Sequence, residues 1–128
     1  MKSLIPYLVF PGTCKQAMEF YAKVLDGEIT FMKPFSESPI PVPKEFKDRI
    51  FNSELKSGNI HIKASDDLPN NEVKHGTNIS LFLVFSKEDE KKEVFDKLSL
   101  DGKILFPIED NFGMLKDKYG VQWMLVNE

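Results

Sequence analysis

Leu4-Ile5-Pro6-Tyr7-Leu8-Val9-Phe10-Pro11-Gly12-Thr13 is an apolar run stopped by a Pro-Gly break and followed by a hydroxyl residue. A short apolar run with such a boundary reads as a buried strand. Thr13 with Gln16 three residues on has the pattern of a capping box, so a helix is expected to open there. Ala17, Phe20, Tyr21, Val24 and Leu25 then recur at the helical period and give one apolar face. Gly27 is the expected stop, because glycine reaches left-handed dihedrals at little cost. Glu28 to Met32 resumes as a strand. Asn52 to Leu55 and Asn59 to Ser65 read as a hairpin turning at Ser57-Gly58-Asn59.

The same order then recurs. Ile79 to Phe85 is a second apolar run, Ser86 is placed to cap a second helix with Asp89 at the capping-box position, and Val94, Phe95 and Leu98 supply the apolar stripe. Asp101-Gly102 ends that helix, Lys103 to Phe106 is the next strand, and Gly113 to Lys116 with Val121 to Val126 forms a hairpin turning at Lys118-Tyr119-Gly120. Thr13 and Ser86 lie 73 residues apart and Gly27 and Gly102 lie 75 apart, whereas Gly58 and Gly120 lie only 62 apart. The first copy therefore carries about a dozen extra residues, and these fall in Pro34 to Asp48, which holds Pro34, Pro39, Pro41 and Pro43. Proline blocks central pairing, so the segment reads as a loop insertion, either mobile or functional. Asn70 to Thr77 is polar and joins the halves. The expected fold is α+β: two βαβββ modules, about 1–68 and 77–128, in a single domain. Their curved mixed sheet would surround a concave pocket, with the helices on the outer face.

Composition narrows the function classes. A chain of 128 residues with 41% hydrophobic content fits one domain with a real core. A net charge of −3 favours neither nucleic acid nor an anionic membrane surface. Of the 17 basic residues only Arg49 is an arginine, which disfavours a bidentate phosphate clamp. Cys14 is the only cysteine, so neither an intrachain disulfide nor a thiolate-rich metal site is expected. No long apolar segment opens the chain, and the expected location is the cytoplasm. No G-x-G-x-x-G or Walker motif occurs, and no nucleotide-derived cofactor is expected.

Several stretches carry a family resemblance. Pro6-Tyr7-Leu8-Val9-Phe10-Pro11-Gly12 with Ala17 and Phe20-Tyr21, then Ser53-Glu54-Leu55 leading to Ser65-Asp66, resemble the PhnB-like proteins. The most specific stretch is Phe112-Gly113-Met114-Leu115 followed by Asp117-Lys118-Tyr119-Gly120-Val121-Gln122-Trp123, which is similar to that family's closing motif. The resemblance covers nearly the whole chain. It implies the vicinal-oxygen-chelate superfamily of glyoxalase I, extradiol dioxygenases and bleomycin- and fosfomycin-resistance proteins, and it implies a homodimer. Asn52 stands where many members carry a histidine.

Metal-using members of that superfamily take ligands from the first and last strands of each module. By that resemblance the four positions fall at Ile5, at His61 or Ile62, near Asn78 or Ser80, and at Met124. Ile5 has no ligating atom, and Met124 is a soft ligand poorly matched to the iron, nickel, zinc or manganese of such sites. No metal and no other cofactor is therefore expected.

Strand alternation names the pocket walls. Tyr7 and Val9 share a face with Ile5. Asn78, Ser80, Phe82 and Val84 share another, with Ile79, Leu81, Leu83 and Phe85 turned toward the helix. Gln122, Met124 and Val126 face inward while Trp123 and Leu125 pack in the core. The candidate ligand-binding residues are thus Tyr7, Val9, His61, Ser80, Phe82, Gln122 and Met124. His61 reads either as functional or as a half-exposed strand residue, and His75 as a solvated linker residue. Cys14, in the first turn of a helix, reads either as an activated thiol or as a small buried side chain. Glu54, Asp66, Glu109 and Asp110 are candidate general bases, and Asp117 reads as a turn residue. The expected function is metal-free binding of a small apolar or aromatic molecule. A metal-dependent lyase or dioxygenase and a metal-free acid/base enzyme are the alternatives.

Overall fold

A computed structural model describes residues 2–128. The chain divides into two compact units, one running up to Val73 and the other spanning Lys74–Glu128. The first holds β1 (Tyr7–Phe10), α1 (Cys14–Val24), β2 (Glu28–Pro34), β3 (Ile50–Ser57) and β4 (Ile60–Asp66). The second holds β5 (Leu81–Phe85), α2 (Glu88–Leu98), β6 (Lys103–Glu109), β7 (Phe112–Lys116) and β8 (Gln122–Asn127). Each unit is one four-stranded mixed sheet. The order is β1-β4-β3-β2 in the first and β5-β8-β7-β6 in the second. β1 runs parallel to β4, and β5 parallel to β8. The two βαβββ modules of the α+β fold read from the sequence are both present.

Each helix covers one face of its own sheet. In the first module Phe10, Cys14, Ala17, Met18, Tyr21, Leu55, Ile62 and Ala64 form the core. In the second module Val94, Phe95, Leu98, Leu115, Trp123 and Leu125 do so. A fully buried aliphatic or aromatic side chain of this kind contributes about 1.5–3 kcal/mol. Trp123 is fully buried, and its indole N–H donates to Asp117 Oδ2 at 2.8 Å. The same carboxylate accepts from Tyr119 N and Val121 N at 2.8 and 3.1 Å, the turn role read for Asp117.

The helix ends differ from the sequence reading. Thr13 precedes α1 but makes no side-chain cap, and Gln16 completes no box. Asp66 caps the helix instead: its Oδ1 accepts from Cys14 N at 2.8 Å, while its Oδ2 accepts from Ile50 N at 2.8 Å. A buried carboxylate at the end of β4 outcompetes the local hydroxyl. Ser86 is likewise not the cap of α2. Lys87 precedes that helix with no side-chain bond, and Glu88, Asp89 and Glu90 fill its first turn and complement the dipole.

Nor do Gly27 and Gly102 take the left-handed conformation. Asp26 and Asp101 do, at φ 52° and 60°, consistent with the tolerance of aspartate for that region. The glycines answer a second constraint in both modules, the close approach of a facing strand. A Cβ on Gly27 would sit 2.9 Å from Lys56 O, and one on Gly102 would run into Lys116 O and the Asp117 backbone.

The Pro34 to Asp48 insertion is built rather than loose. Pro34 ends the edge strand β2, opposite Ile50, where a missing N–H costs no central bond. Short 3-10 turns follow at Phe35–Glu37 and Lys44–Phe46. Phe35 N and Ser36 N donate to Arg49 O and Lys47 O at 2.8 and 3.0 Å, which closes the segment on itself. Phe35 is buried and meets Phe51 edge-on at 5.5 Å. Arg49 lies 4.5 Å over the Phe46 ring and donates to Asp67 Oδ1 at 2.6 Å.

Gly102→Ala forces a Cβ against backbone and is expected to destabilise the protein by about 1–3 kcal/mol. Urea denaturation followed by circular dichroism measures it. An unchanged midpoint would mean that β7 yields freely at this point.

Candidate functional site

The face of each sheet away from its helix is the candidate functional surface. In the first module one register row runs Tyr7, Lys63, Glu54 and Phe31 across β1, β4, β3 and β2. Tyr7 and Val9 are 49% and 38% exposed there, while the alternate residue Phe10 is buried. His61 lies two residues before Lys63 on β4, on the same face, and its cross-strand partner is Lys56. A register shift in β2 between Ile29 and Phe31 brings Thr30 onto Glu54.

These residues form one polar cluster. Thr30 Oγ1 donates to Glu54 Oε1 at 2.7 Å, and His61 Nε2 lies 2.8 Å from Glu54 Oε2. The Thr30 bond and then the His61 bond hold the Glu54 carboxyl below its ordinary range, so it is a carboxylate at neutral pH. Lys63 Nζ lies 5.3 Å from the Phe31 ring centroid, close enough for a cation–π contact. Beside this row is a cavity of about 480 Å³ lined by Phe31, Met32, Lys33, Glu37, Phe51 and Asn52. Asn52 Oδ1 is buried there without a hydrogen-bond partner.

The open face of the second module is apolar. Phe82, Met124, Met114 and Phe106 form one continuous row across β5, β8, β7 and β6. Phe82 and Phe106 are 59% and 56% exposed. Val84, Val126 and Phe112 form the next row, and the Phe106 and Phe112 rings are 5.9 Å apart. Gln122 begins β8 but is buried, and its amide nitrogen lies 3.2 Å from each of Thr77 O, Ile79 O and Ser80 Oγ. Gln122 and Ser80 therefore tether the entry into β5 to one another. Ile79 does not turn toward the helix as expected. It precedes β5 and is largely exposed, because the strand begins only at Leu81.

The remaining candidates sort by their contacts. Cys14 is fully buried, and burial pushes its thiol up to about 12. Its sulfur lies 3.6 Å from Ser53 Oγ, and Ser53 donates to Ala64 O at 2.8 Å, which leaves the thiol as donor. This is a packed thiol, not an activated one. Both oxygens of Asp66 are committed to backbone N–H groups, and burial raises its carboxyl. Glu109 is exposed, and Asp110 is a left-handed turn residue. His75 is exposed, with its ring against Gly120. Sequence reasoning missed Thr30 and Lys63. A β-bulge brings Thr30 to the site, and only strand register places Lys63 beside Glu54.

Among the described residues no group of three or more His, Cys, Asp or Glu is placed to hold a metal ion. Ile5 offers no ligating atom, Met124 lies in the apolar row, and Glu54 and His61 are bonded to each other. The residues present do not fit the metal site of the superfamily's enzymes.

The family described as 3-demethylubiquinone-9 3-methyltransferase matches residues 2–126. The chain belongs to this family. It is a PhnB-like member of the vicinal-oxygen-chelate superfamily. It is similar to the crystal structure of PA1353 from Pseudomonas aeruginosa, at 31% identity and a TM-score of 0.92 over 100% of this chain and 98% of that one. It is also similar to the putative 3-demethylubiquinone-9 3-methyltransferase, PhnB protein, from Bacillus cereus, at 27% identity and 0.82 over 99% and 100%. The fosfomycin resistance protein FosX from Listeria monocytogenes shares the fold, at 11% identity and 0.67 over 99% and 91%.

The family's description implies a methyl donor. A nucleotide-derived donor is usually held by a glycine-rich turn leading from a strand into a helix. The turn into α1 carries one glycine, Gly12, and the Arg49 guanidinium lies 3.1 Å from where its Cβ would be. The turn into α2, Ser86-Lys87, carries none. The residues do not fit such a donor. No described helix is long and apolar enough to cross a membrane.

Cys14 is expected to resist iodoacetamide in the native protein and to react in urea. Mass spectrometry of both samples measures this. Alkylation of native protein at the rate of a free thiol would contradict the packed role.

Proposed function

We propose that the protein is a metal-free binder of small apolar or aromatic molecules, and that the open face of its second module supplies the affinity. The observation that carries this reading is the continuous row Phe82, Met124, Met114 and Phe106, left bare of any helix. Methionines lend adaptability to such a surface because their side chains are unbranched and polarisable. Phenylalanines supply flat area for aromatic contact. A ligand covering about 200 Å² of apolar surface gains about 5 kcal/mol before the costs of binding. Those costs come off the gross gain, so this area alone gives a dissociation constant weaker than about 0.2 mM, and tighter binding requires further contacts. Tyr7, Val9 and His61 belong to the proposal as a separate contact surface on the first module, and Ser80 and Gln122 hold the approach to β5 in the second. A cytoplasmic homodimer completes the reading. Open sheet edges favour pairing with a second copy.

Neutral aromatic compounds at about 100 times their dissociation constant are expected to stabilise the native state by about 2.7 kcal/mol, a shift of several degrees in melting midpoint. Met124→Lys puts a charge in the centre of the row and is expected to abolish the shift. Thermal-shift screening of both proteins decides the matter. A panel that leaves the wild type unmoved, or a variant that responds equally, counts against this face as the site. Light scattering on the same samples tests the dimer: a mass near 14.7 kDa at micromolar concentration removes it.

A further inference from the structure

We propose that the open face of the first module is a proton-transfer site, with His61 Nδ1 as the base, Glu54 as its positioning residue and Lys63 as the charge that meets a developing oxyanion. The inference stands on first-module residues; it shares Tyr7 and His61 with the ligand reading but does not use the apolar row of the second module that carries that reading.

The argument starts from Glu54. Its two oxygens are spoken for, Oε1 by Thr30 at 2.7 Å and Oε2 by His61 Nε2 at 2.8 Å. It is not itself the free base of the site. An ionised carboxylate can only accept, so the hydrogen between it and His61 belongs to Nε2. A neutral imidazole with its proton on Nε2 carries a lone pair on Nδ1. His61 Nδ1 makes no hydrogen bond to the described residues, and the side chain keeps 31% of its surface open to solvent. The carboxylate also stabilises the imidazolium that forms when Nδ1 takes a proton, as a third group does for the base in catalytic triads.

The surroundings define the chemistry. The groups around His61 are Lys56 opposite it on β3, Glu54 diagonally placed, and Lys63 two residues along β4. Tyr7 lies beside Lys63 on β1, and Thr30 reaches Glu54 from β2. Alternate strand residues are about 7 Å apart. A small molecule lying along β4 therefore meets a base at one end and an ammonium at the other. Tyr7 and Phe31 end the row on either side and offer aromatic surface to its body.

The substrate class that fits is a small carbonyl compound with an acidic C–H beside the carbonyl and an apolar or aromatic flank. The proton moves from carbon to Nδ1. The C–H electron pair becomes a C–C π bond, and the carbonyl π pair moves to oxygen, where Lys63 meets the charge. Where the substrate carries a β,γ double bond, the enolate extends to the γ carbon. The imidazolium returns the proton there, the double bond moves into conjugation, the carbonyl re-forms, and the product is an isomer. The sequence needs no oxidant, reductant or co-reactant.

The test uses 5-nitrobenzisoxazole, a probe whose single step needs only a placed base. The base takes the ring C–H, the N–O bond breaks, a nitrile forms, and the coloured phenolate is released. Wild-type protein is expected to turn it over about 100-fold faster than His61→Gln. Glu54→Gln is expected to lose about tenfold and Lys63→Met a smaller factor. Nitrogen-15 spectra of the wild-type ring are expected to show the neutral form protonated on Nε2, and Glu54→Gln to show a mixture of tautomers. Circular dichroism checks that the variants fold, and the wild-type spectra need no variant at all. Turnover by His61→Gln equal to that of wild type, or a neutral ring protonated on Nδ1, overturns the proposal.

Discussion

A four-stranded sheet has two faces, and each module supplies only one helix to cover them. Half of every strand's side chains are therefore left without a local partner. The sequence responds differently in the two modules. In the first, the uncovered face carries Tyr7, Glu54, His61 and Lys63, and Glu54 and His61 bond to each other. In the second it carries Phe82, Met124, Met114 and Phe106, which have nothing polar to satisfy. The helix-covered faces stay alike, with Leu55 and Ile62 in one core and Leu115 and Trp123 in the other. Packing constrained the buried faces of both modules to be apolar. The open faces were free to diverge.

The end of the last strand in each module shows the same divergence at finer grain. Phe10 pairs with Asp66 in the first module, and Phe85 pairs with Asn127 in the second. The following residues, Asp67 and Glu128, return a backbone bond to Phe10 O and Phe85 O at 2.8 and 2.9 Å. The register positions are equivalent, but the side chains solve different problems. Asp66 accepts two backbone N–H groups and thereby ties the start of α1 to the start of β3. Asn127 has one amide oxygen where Asp66 has two carboxylate oxygens, and its amide nitrogen instead donates to Glu88 at the start of α2. The first module needs the stronger tie because the Pro34 to Asp48 insertion enters β3 at that point. Arg49 and Asp67 reinforce it with an ion pair at 2.6 Å.

These details explain what the sequence disclosed and what it withheld. Apolar runs, turn glycines and their spacing were enough for two βαβββ modules, because each depends on neighbours in sequence. The helix caps were not legible. The Thr13 to Gln16 pattern is local, but the group that caps α1 lies 52 residues away. The glycines at 27 and 102 were found for the wrong reason, since their missing side chains make room for a facing strand rather than permit a turn. Alternation put Tyr7, Val9, Phe82 and Met124 on open faces. It missed Thr30, because a bulge in β2 shifts the register by an amount the sequence does not announce. Alternation also set Gln122 on a pocket wall, where the structure commits its amide to Thr77, Ile79 and Ser80.

The two open faces differ in what they can contribute to recognition. Apolar area gives affinity in proportion to the surface covered, with little regard for which compound covers it. A fixed hydrogen-bonding pair does the opposite. Glu54 is held by Thr30 on one oxygen and by His61 on the other, so the imidazole has one orientation and one free nitrogen. A ligand that offers that nitrogen nothing leaves a polar atom without its water, at a cost of about 1–3 kcal/mol. Apolar area and an oriented polar pair thus answer different demands: the first governs how strongly a face can hold a small molecule, the second which one it can accept. Discrimination between small molecules needs an oriented polar atom rather than an ion, so the proposed role of His61 and Glu54 does not depend on the superfamily's metal ligands.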